Sequence, residues 1–222
     1  MPSRAFSSSV GTKLLVGITG FGLFFYLIIH IVGNLVVFTG RDGFNTYAKT
    51  LEGLPITPLI ELGLFAVVLI HIYKTVRMTI ANRGARPVSY AKKKYAGGPS
   101  RKTFASSTMI LSGLWLLVFL LIHVRAFRFQ PKVELPGGGV DLYGFEMDVF
   151  RNPLMVGFYV ISMLIVGSHL FHGISSSLQS LGLDHPVWTP RVVTAGKVLA
   201  VLIAGAFIVI ALWAHFIGGA AA

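Results

Sequence analysis

The chain has 222 residues, 54% of them hydrophobic and only 12% charged, with a formal net charge of +11. An average soluble domain carries about 25% charged residues, so this composition, with a mean hydropathy of +0.75, excludes a soluble globular enzyme and describes an integral membrane protein of spans and short connections. The absence of cysteine excludes disulfides, a thiolate nucleophile, and iron–sulfur or Cys-ligated zinc sites on this chain.

The first apolar run follows MPSRAFSSSVGTK and covers roughly residues 14–38. It is too long for the apolar region of a signal peptide and contains His30, so it is expected to be a retained span. Four more runs follow at roughly 57–80, 105–127, 153–178 and 192–217. Each is long enough to cross a hydrocarbon core of about 30 Å, which takes about 20 helical residues. Backbone groups in lipid must be satisfied within the segment, so the runs predict helices. They far exceed the roughly ten-residue alternating segments of an outer-membrane barrel. Pro55 and Pro58 precede or open the second helix, and Asn152-Pro153 opens the fourth; proline is tolerated in a first turn. No internal repeat or low-complexity segment is visible. The expectation is an all-α integral membrane protein, one membrane domain over residues 1–222.

The connections set the orientation. The tail carries Arg4 and Lys13. The connection after the second run carries Arg83, Arg86, Lys92, Lys93, Lys94, Arg101 and Lys102 and no acid. The first connection balances Arg41 and Lys49 against Asp42 and Glu52. The third balances Arg128, Lys132 and Arg151 against Glu134, Asp141, Glu146 and Asp148. Positive charge crowds onto one side, which predicts a cytoplasmic N-terminus and an outer C-terminus. The same basic loop also suits contact with anionic lipid head groups. The net positive charge is read as membrane orientation, and no nucleic-acid partner is expected.

Four histidines fall in four different runs: His30, His71, His123 and His169. An ionisable side chain inside a span is costly and marks a functional site by default. At about 1.5 Å per residue, His30 lies about 25 Å from the inner surface and His123 about 27 Å. On the inward-running helices, His71 lies about 21 Å and His169 about 24 Å from the outer surface. His30 and His123 therefore share an outer layer, and His71 and His169 an inner one. Two imidazoles on different helices at one depth are what a flat macrocycle clamped between axial ligands requires. In a membrane this points to two b-type haems, stacked as an electron path within the five-helix bundle. Other readings of a histidine in a span are a hydrogen bond to a neighbouring helix, a zinc site and a proton relay. Zinc wants four ligands at one depth. A relay wants buried acids, and Glu61, near the outer end of the second run, is the acid found within a span.

His172 sits about one turn beyond His169 on nearly the same face, and is a candidate for the fourth ligand, a propionate partner or a quinone contact. His185 and His215 are expected at the interfaces, with no redox role. Gly17, Gly20, Gly22 and Gly33 near His30, and Gly167 and Gly173 near His169, suit either close approach of a cofactor or ordinary helix packing.

At this point the residues resemble a known family, the single-subunit, five-helix, di-haem cytochrome b anchor of bacterial succinate dehydrogenases and fumarate reductases. The segments that carry the likeness are SSSVGTKLLVGITG, HIVGNLVVFTGRDGFNTYA, ANRGARPVSY, PLMVGFYVISM and HLFHGISSSLQSLGLDHP. Together they cover nearly the whole chain, and the last is the most specific. The resemblance implies haem ligands at His30, His71, His123 and His169, the first paired with the third and the second with the fourth. It implies a bacterial cytoplasmic (inner) membrane location, with a flavoprotein subunit and an iron–sulfur subunit docked on the cytoplasmic face. Electrons would pass from succinate through flavin and iron–sulfur clusters to the inner haem and on to quinone, menaquinone or ubiquinone. The chain would have no catalytic residue of its own. Some members carry an acid beside the fourth ligand; here Gly167 and Ser168 stand there, and that mechanism is not carried over.

A quinone headgroup needs hydrogen-bond donors at the end of an apolar slot. Ser175, Ser176 and Gln179 are the inner candidates with His172, and Glu61 is the outer one; the serines also suit helix capping. Haem propionates want cationic partners: Lys74 and Arg77 lie near the inner layer, Arg125 and Arg128 near the outer. Competing readings are a di-haem cytochrome b of another quinone-linked or ascorbate-linked complex, and a transporter. No repeat halves or broken helices favour the transporter.

Overall fold

The computed structural model describes residues 8–85, 103–131, 133–135, 138–183 and 185–218. Most of the basic connection, from Arg86 to Lys102, and also Arg4 and Lys132, lie outside the described residues. Over the described residues the chain is helical: α1 (Ser9–Asn34), α2 (Arg41–Glu52), α3 (Thr57–Gly84), α4 (Phe104–Ser107), α5 (Met109–Arg128), α6 (Leu142–Arg151), α7 (Pro153–Ser180) and α8 (Trp188–Phe216). A 3-10 turn, Leu35–Thr39, extends α1. Five helices, α1, α3, α5, α7 and α8, are long and apolar enough to cross a membrane. The protein is a five-helix membrane bundle.

Local chemistry explains where the helices begin. Ser8 Oγ accepts from Gly11 N–H at 3.0 Å and caps α1, so the helix starts ahead of the apolar run. Asn152 Oδ1 accepts from Leu154 N–H at 2.9 Å, with Pro153 in the first turn of α7. Thr103 and Ser106 form a reciprocal capping box that opens α4, and the non-helical backbone of Thr108, at φ −105° and ψ 8°, separates that short helix from α5. α8 starts at Trp188, ahead of the run expected from residue 192, because apolar periodicity marks lipid depth rather than a helix end.

α7 and α8 form the most extensively packed helix pair in the bundle. Small residues make this possible. A Cβ on Gly196 would meet Ile174 at 2.5 Å, and one on Gly167 would meet Ala204 Cβ at 3.1 Å. Gly167, next but one to a histidine, thus serves helix packing. α1 packs on α3, α7 and α8, and α5 on α7. α1 and α5 are not extensively packed on each other, nor are α3 and α7. These are the helix pairs that carry the two histidine layers.

The outer connections are not plain loops. α2 and α6 lie against each other, and α6 also packs on the outer ends of α7 and α8. Asn45 joins them from a buried position: its Nδ2 donates to Asp141 Oδ1 at 2.9 Å, and its Oδ1 accepts from Tyr143 N–H at 2.9 Å. Asp141 also caps α6 through Gly144 N–H and pairs with Arg41 at 3.6 Å. Burial pushes the Asp141 carboxyl up, but the Asn45 amide, the Gly144 N–H and the Arg41 charge together hold it below its usual value. Asn45→Ala would leave a buried N–H and a carboxylate short of partners. The expected loss is about 2–4 kcal/mol of local stability, read as faster hydrogen exchange at the Tyr143 amide; unchanged exchange would mean the latch contributes nothing.

The apolar stripe of α6 is Tyr143, Met147 and Phe150, with Glu146 among them at 5% exposure. Burial pushes the Glu146 carboxyl up from 4.5 to about 7. The folded state thus holds this proton more tightly than the unfolded chain does. Its contribution is complete below pH 4.5 and is lost as pH rises to about 7. The size is up to about 3 kcal/mol. Protection of the α6 amides should fall over that window and become flat in Glu146→Gln; an equal slope in the variant would place the titration elsewhere.

Candidate metal centre

The outer histidines face each other across the bundle. The ring centroids of His30 on α1 and His123 on α5 lie 6.0 Å apart with planes at 86°. Aromatic rings enclose them. Tyr26 stacks on His30 at 5.4 Å and Phe207 of α8 approaches it at 5.6 Å. Phe119 and Phe127 flank His123 at 5.5 and 5.2 Å. His123 Nδ1 lies 3.1 Å from the Tyr159 hydroxyl of α7. His30 Nδ1 lies 3.4 Å from the Asn34 amide, which also donates to the His30 carbonyl at 2.7 Å.

The inner histidines are held more firmly. His71 Nδ1 lies 3.0 Å from Thr19 Oγ1 of α1, and the threonine hydroxyl donates to Leu15 O at 2.6 Å. That leaves the hydroxyl oxygen to accept from Nδ1–H. His169 Nδ1 lies 2.9 Å from Ser112 Oγ of α5, whose hydrogen goes to Met109 O at 3.0 Å. Each inner imidazole is therefore pinned as the Nδ1–H tautomer by a helix other than its own, and Nε2 is its lone-pair nitrogen. At His71 the Val16 carbonyl also lies beside the ring. Two glycines admit these rings. A Cβ on Gly20 would meet His71 Cε1 at 3.2 Å, and one on Gly113 would meet His169 Cε1 at 3.7 Å. Sequence reasoning noticed Gly20 but missed Thr19, Ser112 and Gly113, because a hydroxyl or glycine in a span has many uses until its neighbour is known.

This donor set suits a metal that brings most of its own ligands. Two imidazoles on opposite sides of one metal, with bonds of about 2 Å, keep their ring centroids about 6 Å apart, the separation of His30 and His123. Among the described residues no three His, Cys, Asp or Glu side chains converge, so a tetrahedral protein-only zinc site is not assembled among them. The outer two imidazoles, enclosed by aromatic rings, suit the axial ligation of a haem.

The remaining sequence candidates divide. Glu61 of α3 and Arg128 of α5 come together, Nη2 to Oε2 at 3.5 Å, both more than half exposed, so the pair is worth little as a salt bridge. Arg125 is exposed on α5. Arg77 turns to its own helix, donating to the Tyr73 hydroxyl at 3.4 Å with its guanidinium over that ring. Lys74 is half-buried. Ser175 Oγ donates to the His172 carbonyl at 3.0 Å, a helix-local bond. Ser176 is half-buried and Gln179 exposed. Ser177, not Ser175 or Ser176, is the buried serine that meets α1, near Gly20. His172 is half-buried and lies within electrostatic reach of Lys197. Lys197 Nζ sits 4.7 Å above the Phe171 ring. A lysine inside the fifth span was an overlooked signal, and it gives the inner end a cation for an anionic group. His185 Nδ1 accepts from Val187 N–H at 3.2 Å at the start of α8, and His215 Nδ1 lies 2.8 Å from Phe150 O.

Over 178 residues the chain is 25% identical to the succinate dehydrogenase cytochrome b558 subunit of Bacillus subtilis (strain 168), covering 80% of this chain and 79% of that protein. That likeness supports a place among succinate dehydrogenase cytochrome b subunits. No protein-family model matches the chain, and no solved structure does. Five spans and this bacterial relative make the chain a multi-pass protein of the bacterial cytoplasmic (inner) membrane.

Proposed function

We propose that the chain is the cytochrome b anchor of a succinate:quinone oxidoreductase, a single membrane domain that holds two b-type haems and passes electrons from an iron–sulfur subunit to membrane quinone. The observation that carries this reading is the approach of His30 and His123 from two helices, ring centroids 6.0 Å apart; His71 and His169, whose Nδ1 atoms meet Thr19 and Ser112, are read as a second pair. The likeness to a succinate dehydrogenase cytochrome b558 subunit supports it. Bound in the two layers, the haems would supply one-electron carriers stacked through the bilayer.

The chain's own residues bind and orient. His30 and His123 would hold the outer haem iron, and His71 and His169 the inner one. Lys74, Arg77 and Lys197 give the inner end positive charge for propionates, and Arg125 and Arg128 do so at the outer end. At the outer end Glu61, paired with Arg128, is the polar candidate beside a quinone; at the inner end His172, Ser175, Ser176 and Gln179 offer hydrogen bonds to a quinone carbonyl. The cytoplasmic face, carrying the basic connection, is the docking side for a flavoprotein and an iron–sulfur subunit. The chain catalyses nothing alone.

The test is purification of the native complex from membranes through a tag on this chain, followed by addition of succinate. The expected result is co-purification of a flavoprotein and an iron–sulfur protein, and reduction of at least one b haem by succinate. A haem protein that brings neither subunit would assign the cytochrome to another redox complex.

A further inference from the structure

We propose that Glu146 is the proton-exchange site of the outer redox centre, taking up a proton from the outer aqueous side as an electron arrives there and giving it back as the electron leaves. The proposal rests on the two-centre reading above and goes beyond it, because neither ligation nor quinone chemistry uses this residue.

Glu146 occupies the apolar stripe of an amphipathic helix, between Tyr143, Met147 and Phe150, which are 1–4% exposed. An apolar side chain would complete that stripe at no cost. A carboxylate there is expensive unless it is paired or neutral. No described residue forms a hydrogen bond or ion pair with it. The other outer acids with a structural role are already taken up: Asp141 by Arg41, Asp148 by Arg151, Glu61 by Arg128. At this end α2 carries Arg41, Asp42, Tyr47, Lys49 and Glu52, α7 carries Tyr159 and α8 carries His215. Arg41 is committed to Asp141, and the His215 ring to the Phe150 carbonyl. A proton is the neutralising partner that this arrangement leaves to Glu146, and burial already brings its carboxyl to about 7.

The position links that proton to the outer histidines. Glu146 is within electrostatic reach of Tyr159, and the Tyr159 hydroxyl lies 3.1 Å from His123 Nδ1. Phe150, one turn along α6, packs edge-on against the same tyrosine at 5.1 Å. The helix that carries the carboxyl therefore packs on the tyrosine that meets His123. On the other side, the exposed face of α6, with Asp148 and Arg151, meets the outer solution. The charges balance: an electron from the inner centre adds one negative charge at the outer iron, and a proton from the outer solution converts the Glu146 carboxylate to the neutral acid. Onward transfer of the electron to quinone reverses both. Electron and proton affinities must rise together by one shared factor.

The experiment is potentiometric titration of the haem absorbance of the holoprotein at a series of pH values around neutrality, for the unaltered chain and Glu146→Gln. The outer haem is the one that survives in His71→Leu. In the unaltered protein its midpoint should fall as pH rises, approaching a tenfold change in electron affinity per pH unit, which is 59 mV for one electron. Glu146→Gln should flatten that slope at the low-pH value and leave the inner haem unchanged. A second readout needs no variant: reduced-minus-oxidised infrared spectra should show a deuterium-sensitive C=O band of a protonated carboxyl. An unaltered slope in the glutamine variant, a slope carried by the inner haem, or no such band would each overturn the proposal. A preparation without b haem would overturn the two-centre reading itself, and the absorption spectrum shows that before any titration begins.

Discussion

His71→Leu and His169→Leu are each expected to remove the inner haem and leave the outer one, halving the haem bound per chain. Leucine fills the space of an imidazole but has no lone pair, so the effect is loss of an axial bond rather than of packing. The two variants should give the same spectrum, because one haem needs both ligands. His172→Leu should keep both haems. His172 is half-buried beside Lys197, whereas His169 is pinned through Ser112 on α5. Haem extracted per chain and the reduced absorption bands are the readouts. Two haems retained in either His71→Leu or His169→Leu would remove the inner pair from the account, and loss of a haem in His172→Leu would exchange the fourth ligand.

Thr19→Val and Ser112→Ala should weaken the inner site without touching a ligand. Each hydroxyl accepts Nδ1–H of an inner histidine while its own hydrogen is spent on a backbone carbonyl. Valine matches threonine in shape, so the change removes the acceptor alone. The imidazole then loses its fixed tautomer, and its Nδ1–H is left without a partner. Partners of this kind typically account for about 10- to 100-fold in metal affinity. Competition for haem during reconstitution should show that loss at the inner haem and none at the outer. The outer histidines rest on a longer amide contact at 3.4 Å and a tyrosine hydroxyl at 3.1 Å, so their tautomer is not fixed by a committed acceptor. Equal affinity of both haems in the variants would mean the hydroxyls only cap their own helices.

The five spans are legible because lipid imposes a single requirement, apolar length, on every segment that crosses it. The short helices α2 and α6 obey no such rule. Each is about three turns of mixed residues, and what holds the two together is the Asn45 latch, a contact between residues nearly a hundred positions apart. Glu146 looks like one more loop acid until α6 turns it inward. Depth arithmetic could group His30 with His123, because rise per residue is fixed. It could not place Glu61 beside Arg128, since helix adjacency is not written in any one helix. Lys197 stood in plain view inside an apolar run; its value emerged only with Phe171 and His172 at its side.

The central claim is that one chain carries two bis-histidine haems, and the most direct measurement is haem b per chain in the mildly solubilised native complex, counted against protein by quantitative amino-acid analysis. The account predicts two b haems per chain. One or none would contradict it, and the histidine layer left without a haem would then be a structural contact between helices.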